Sequence, residues 1–288
     1  MIRHSAAAAS EVDPRVAPAL RGESLYGDDF TAAEIAEWFE DEREGYFNLG
    51  FVAPPTGTGE GDGYAYQALA QAHCYRWLPT APIERVLGIG SATGAELAPL
   101  ARVSNELTVL EPSDGLRAGS VGGKPVTYVK PVASGVMPFE SDTFDLAVCF
   151  SVLHHIPNVS TVVREMARVL KPGGYALLRE PTHSMGDWRR PRRGLIRRER
   201  GIPLQLFRRI VADAGFEVIR ETRCMFSLTS RLSRVLSRSV WTYPLVVGLD
   251  GFLCRLGIWP SAYHARAVWQ KLRPTAVAYV LRRPPRTS

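Results

Sequence analysis

Lysine is nearly absent from this chain: of 35 basic residues 4 are lysine and 31 arginine, and the formal net charge is +6 over 288 residues. Such a skew follows genome base composition as readily as function, so the positions of the arginines say more than their total. Cysteine is scarce as well. Cys74, Cys149, Cys224 and Cys254 stand far apart, without CxxC or Cys/His zinc spacing. That excludes a disulfide framework, leaves metal unexpected, and points to buried free thiols in a reducing cytoplasm. No run of about 18 apolar residues is free of charge, so no membrane-spanning helix is expected. Residues 1–10 lack the apolar centre of a secretory signal, and residues 1–22 read as a disordered lead-in.

What the chain does hold is rhythm. Thr31 and Glu34 form a capping box ahead of Ile35, Trp38 and Phe39, which predicts an amphipathic helix over 31–44. Residues 53–63 read as a glycine-rich loop, and a second helix is expected over 64–78. Short apolar runs then alternate with helical periodicity, with strands expected at 85–89, 107–111, 126–130, 144–150, 175–180, 216–223 and 276–281. Between them, Val162, Val163, Met166 and Val169 mark a helix stopped by Lys171-Pro-Gly-Gly174, and Pro203 opens another that Gly215 stops. This alternation specifies an α/β fold with a mainly parallel sheet covered on both faces. About fifty residues, 225–275, interrupt the rhythm. Their aromatics, among them Trp241, Phe252, Trp259 and Trp269, suggest a helical cap. The expected organisation is a lead-in at 1–22, helices at 23–80, a Rossmann-like core at 81–224, the cap at 225–274 and a final strand and tail at 275–288.

Residues 85–94 read Arg-Val-Leu-Gly-Ile-Gly-Ser-Ala-Thr-Gly, an apolar run feeding a small-residue turn, and 107–111 end a second run on Glu111. A strand, a glycine turn, a helix and a second strand ending in an acid bind nucleoside cofactors. The turn lets backbone approach the ligand, and the acid grips ribose hydroxyls. Gly88, Gly90 and Gly94 stand at G-x-G-x-x-x-G rather than the dinucleotide G-x-G-x-x-G, which favours S-adenosylmethionine (SAM) over NAD or FAD. Candidate cofactor residues are Gly88, Gly90, Ser91, Ala92, Thr93, Gly94, Glu111, Pro112, Ser134, Val136 and Phe150, with Leu110 and Val136 placed to sandwich adenine.

In order along the chain, five segments resemble the class I SAM-dependent methyltransferases, particularly the small-molecule group that includes quinone-biosynthesis enzymes. They are Val86-Leu-Gly-Ile-Gly-Ser-Ala-Thr-Gly94, Glu111, Met137-Pro-Phe-Glu-Ser-Asp-Thr-Phe-Asp145, Phe150-Ser-Val-Leu-His-His-Ile156 and Val169-Leu-Lys-Pro-Gly-Gly174. The resemblance implies a seven-stranded sheet whose last strand runs antiparallel, SAM as cofactor, and a small-molecule acceptor with oxygen slightly preferred. It also exposes departures. Where the family's first motif has an acid and a middle glycine, this chain has Gly88 and Ala92. Ala133 stands where an adenine-contacting acid is common. A SAM-binding but inactive protein therefore stays open.

Methyl transfer draws its rate largely from positioning and water exclusion. A base is needed only for an acceptor that must lose a proton. His154, His155, Glu180 and His183 are the candidates, all at C-terminal ends of expected strands. The N-terminal helices and the 225–275 insertion are expected to close over the acceptor. Arg189, Arg190, Arg192, Arg193, Arg197, Arg198 and Arg200 admit three readings: a solvated basic face, recognition of an acidic substrate, or nucleic-acid binding. The last is disfavoured because regular aromatic interleaving is missing, as is an Asn-Pro-Pro-Tyr segment after the fourth strand. Arginines beside tryptophans in the insertion leave a membrane-surface contact open, and oligomeric state is open too.

Overall fold

In the computed structural model of the protein the structure describes residues 13–43, 45, 64–190, 192, 194–236, 239–260 and 262–286. The 53–63 loop, Arg193 and Arg238 lie outside them. The apolar runs form an eight-stranded sheet of order β3-β4-β2-β1-β5-β6-β8-β7. The strands are β1 (Arg85–Ile89), β2 (Glu106–Leu110), β3 (Ser120–Val121), β4 (Lys124–Val129), β5 (Phe144–Phe150), β6 (Leu170–Pro181), β7 (Glu217–Phe226) and β8 (Pro274–Arg282). β4, β2, β1, β5 and β6 are parallel neighbours, and β8 runs antiparallel between β6 and β7. The strand beyond the expected seven is β3, two residues long and turned back on β4. Lys171-Pro-Gly-Gly174 does more than stop a helix. It lies within β6, where the pairing with β5 shifts register between Phe144 and Leu146.

Two apolar layers cover the sheet, as strands buried on both faces require. One holds α4 (Val159–Val169) and α5 (Leu204–Asp213), burying Val162, Val163, Met166, Phe207 and Val211. The other holds α3 (Gln67–His73) and part of the insertion, burying Leu69, Cys74, Val240, Trp241 and Val247. The insertion is helical, as α6 (Ser227–Val235) and α7 (Pro244–Arg255). All four cysteines are buried and free.

Two expectations need correction, and a third resolves. The lead-in does not extend to residue 22, because Val16–Arg21 is a helix, α1, with Val16 and Ala19 buried. The insertion, which reads from the sequence as a lid or a packed subdomain, packs into the fold, since Trp241 and Val247 belong to the second core layer. Finally, no α-helix follows β1; only a 3-10 turn, Ala95–Leu97, is present. Pro99 is the cause. In a helix its ring would clash with the Ala95 carbonyl, and its missing N–H would break the ladder.

α2 (Ala32–Arg43) starts at the expected capping box, with the Thr31 amide donating to Glu34 Oε2 at 2.8 Å. Its far side is fixed by Trp38, whose indole donates to the His155 carbonyl at 2.6 Å. Among the described residues no helix is long and apolar enough to cross a membrane. The outer face of α7 is nevertheless apolar: Leu245, Leu249, Phe252 and Leu256 are exposed.

Candidate active site

The turn after β1 carries three left-handed residues, Gly90 (φ 60°), Ala92 (φ 47°) and Gly94 (φ 75°). A Cβ on Gly90 would run into Val152, and one on Gly94 would meet Val121 Cγ2 at 2.8 Å, so only glycine lets this backbone curl so tightly. Ala92 tolerates the strain with its amide anchored on Glu111 Oε2 at 3.0 Å. The Ser113 amide binds Glu111 Oε1, also at 3.0 Å. Glu111 is thereby a buried carboxylate held by the backbone at the end of β2.

A cavity of about 610 Å³ opens over this turn. Gly90, Ser91, Ala92, Glu111, Pro112, Val136 and Phe150 line it, as the motif reading expects, and so does Leu110. Gly88, Thr93, Gly94 and Ser134 do not. Gly88 is crowded instead: a Cβ there would sit 2.5 Å from Ser91 Oγ and 2.9 Å from Leu97 Cδ1, which leaves no room for the acid the motif usually carries. Ser134 gives its carbonyl to Asn158 Nδ2 at 2.7 Å, which holds the loop before β5.

Two lining residues escaped the motif reading. Glu96, in the 3-10 turn, is buried, and burial pushes its carboxyl up to about 7. Arg179, in β6, is buried over the rings of Tyr66 and Phe150, with Nη2 on the Tyr64 hydroxyl at 2.8 Å. Its Nε and Nη1 have no hydrogen-bond partner. Unpaired donors on a buried guanidinium are costly, and they point to a ligand that completes them. An arginine in a strand buried on both faces was the available sequence signal.

Of the four catalytic candidates, His154 and His155 line this cavity and Glu180 and His183 do not. Glu180 is fully buried and cannot touch an acceptor. Its Oε1 accepts the Val152 and Leu153 amides at 2.8 Å each, and Oε2 binds His154 Nδ1 at 2.7 Å. His155 Nδ1 meets Glu42 Oε2 at 3.0 Å, tying the loop after β5 to α2. His183 is bonded through Nδ1 to the Thr275 carbonyl at 2.9 Å and lines a second cavity of about 800 Å³. Burial holds its pKa below the usual histidine range. His154, His155 and Glu199 bring donor atoms within 4.8 Å of one another. Both histidines are bonded through Nδ1 to carboxylates, His154 to Glu180 and His155 to Glu42.

Arg189, Arg190 and Arg197 are exposed, as the solvated-face reading has it, but Arg192 and Arg200 take a role none of the three readings offered. Arg200 is buried and spans the Tyr26, His154, Ile156 and Pro157 carbonyls at 2.7–3.2 Å. Arg192 holds the Met185, Ile196, Arg197 and Glu199 carbonyls. Arg198 pairs with Glu37 and Asp41 of α2, and Arg189 and Arg190 pair with Asp187. Arg198 thus ties the 184–200 segment to α2 and Arg200 ties it to the loop after β5, while Arg192 braces the segment on itself. Together α2 and residues 194–199 roof the cavity.

Residues 87–178 match a family described as a methyltransferase domain. The ubiquinone biosynthesis O-methyltransferase of Proteus mirabilis is 30% identical over 110 residues, 36% of this chain and 45% of that enzyme. The chain thus spans under half the length of such relatives. The [4+2]-cyclase SpnF has a similar structure (TM-score 0.52, 18% identity, 89% of this chain and 98% of that one). So does a SAM-dependent methyltransferase from Mesorhizobium loti (TM-score 0.50, 17% identity, 77% and 99%). These likenesses establish the fold and, since a cyclase shares it, not the reaction. With the glycine turn, the anchored Glu111 and the sheet order in place, residues 87–178 match a methyltransferase domain, and the core of the chain resembles the class I SAM-dependent methyltransferases, the quinone-biosynthesis group among them.

Proposed function

We propose that the chain is a SAM-dependent methyltransferase acting in the cytoplasm on a small-molecule acceptor, with oxygen the preferred methyl acceptor. The observation that carries this reading is the charge of the cavity over the glycine turn. Glu42, Glu96, Glu111 and Glu199 line it against Arg43 and Arg179. An acid-rich, partly apolar cavity suits a cofactor with a sulfonium and an ammonium group. The residues fit the parts of SAM. Glu111 would take the ribose diol, Glu96 the ammonium that a residue-88 acid would otherwise meet, and Arg179 the carboxylate. With no helix N-terminus behind the turn, that carboxylate relies on the guanidinium.

SAM when bound supplies an electrophilic methyl group. The chain's own part is to fix the acceptor, exclude water and remove a proton. His154 is placed for the last task. Glu180 commits its Nδ1, which leaves Nε2 as the nitrogen to take the acceptor hydroxyl proton. Glu180 is a positioning residue. Ser151, beside it, is held at φ 61°, the kind of strained backbone found where a wall must be shaped closely.

Calorimetry with SAM, S-adenosylhomocysteine and NADH tests the cofactor, and methyl transfer from labelled SAM to phenolic acceptors tests the reaction. Binding of SAM and its product but not NADH, with turnover, is the expected result. Folded protein that ignores SAM would sink the reading. Binding without turnover on any acceptor would place the chain with the non-methylating users of this fold.

A further inference from the structure

The two cavities carry opposite charge. The one over the glycine turn is rich in carboxylates. The second, about 800 Å³, is lined by Arg231, Lys271, Arg273, His183 and His264, and by no acidic residue among those described. They share one wall, formed by Tyr66, Ser151 and His154. His154 is thus the only proposed catalytic group that lines both.

We propose that the second cavity is the acceptor site, and that its acceptor carries an anionic group such as a carboxylate or phosphate. The proposal rests on the methyltransferase reading. One reading of the sequence places acid recognition in the arginines of 189–200, but Arg192 and Arg200 are spent on carbonyls, Arg197 and Arg198 on acids of α2, and Arg189 and Arg190 on Asp187. The cations that face the second cavity, Arg231, Lys271 and Arg273, come instead from the insertion. Arg273 is buried and braced on the Ala262 and Tyr263 carbonyls, so its charge is held in place by backbone. Ser230 Oγ, buried beside Arg231, has no hydrogen-bond partner and is a ready donor. Low-dielectric walls of one sign concentrate ions of the other. An anion in this cavity and a sulfonium in its neighbour attract one another across the wall where His154 stands. The insertion accordingly selects the acceptor, though it lines no part of the cofactor cavity among the described residues.

The test uses full-length protein saturated with S-adenosylhomocysteine, whose binding is measured first by calorimetry. Failure there would count against the cofactor reading and not against the second cavity. Benzoate and its neutral isostere benzamide are then titrated while the His183 and His264 ring resonances are followed. Benzoate should shift them saturably and bind at least about tenfold more tightly than benzamide. The exposed double variant R231A/K271A should lose that preference and keep its affinity for S-adenosylhomocysteine. Equal response to the two probes, no saturation by benzoate, or a preference that survives the double variant would each overturn the proposal.

Discussion

Glu96 is where a single residue's chemistry can be read most directly. Its folded pKa lies above the ordinary 4.5 because burial penalises the charge. An acid raised on folding costs stability once ionised, so the penalty is absent below about 4.5 and grows as pH rises through about 7. Glu96→Gln should therefore raise Tm at pH 8 and leave it unchanged at pH 4, while weakening SAM binding at pH 8 far more than at pH 4. Losing affinity while gaining stability would separate a ligand contact from a structural one. An ammonium arriving beside Glu96 also expels its proton. Calorimetry at pH 7 in buffers of different ionisation enthalpy should show release of up to about half a proton. Glu111→Ala should weaken SAM about thirtyfold or more, from the loss of charge-assisted hydrogen bonds to the diol; an unchanged constant would remove Glu111 from the ribose site. Glu111 was legible in the sequence because its place is fixed by spacing from a glycine turn. Glu96 and Arg179 were not, because what gives them meaning is the neighbour across the sheet rather than along the chain.

Among elements, the strands were the most readable. β1 and β5 fall at the expected residues because both faces are buried and the apolar run is continuous. The connection after β1 misled, since alternation implied a helix and Pro99 forbids it. The arginine-rich 184–200 segment misled in another way. Density of charge suggested an outward surface, whereas Arg200 points inward to four carbonyls and stays protonated even with its pKa pushed down to about 10 by burial. Arg200→Leu should cost about 3 kcal/mol in urea unfolding, because buried carbonyls would be left without a donor. It should also loosen the roof over the cofactor, so that α2 becomes sensitive to limited proteolysis in conditions where β1 and β5 stay protected.

At the scale of the whole molecule, α7 turns one face inward through Val247, Asp250 and Cys254 and the opposite one outward through Leu245, Leu249, Phe252 and Leu256. Leu245 is 88% and Phe252 60% exposed. Exposed cations Arg231, Arg255, Arg266 and Lys271 belong to the same insertion, and its acid Asp250 is buried on the Met225 and Phe226 amides. An anionic bilayer complements both the positive charge of the insertion and the apolar row of α7. We expect the protein to float with vesicles of phosphatidylcholine and about 30% phosphatidylglycerol, less so at high salt. Leu249→Ser with Phe252→Ser should abolish flotation; a dimer in solution that this double variant dissociates would assign the face to a second copy.

The place of β8 has a consequence for how the chain comes off the ribosome. Strands β2, β4, β5 and β6 each pair with a strand already made, so the cofactor turn and its carboxylates can assemble early. β7 cannot follow suit, because its neighbour in the sheet is β8, which is translated some fifty residues later. Until then β6 offers an unpaired edge and β7 waits alone, the kind of interval in which nascent chains recruit chaperones. A translational pause within the insertion would prolong that interval, and synonymous codons there should therefore change soluble yield more than the same changes upstream of β5.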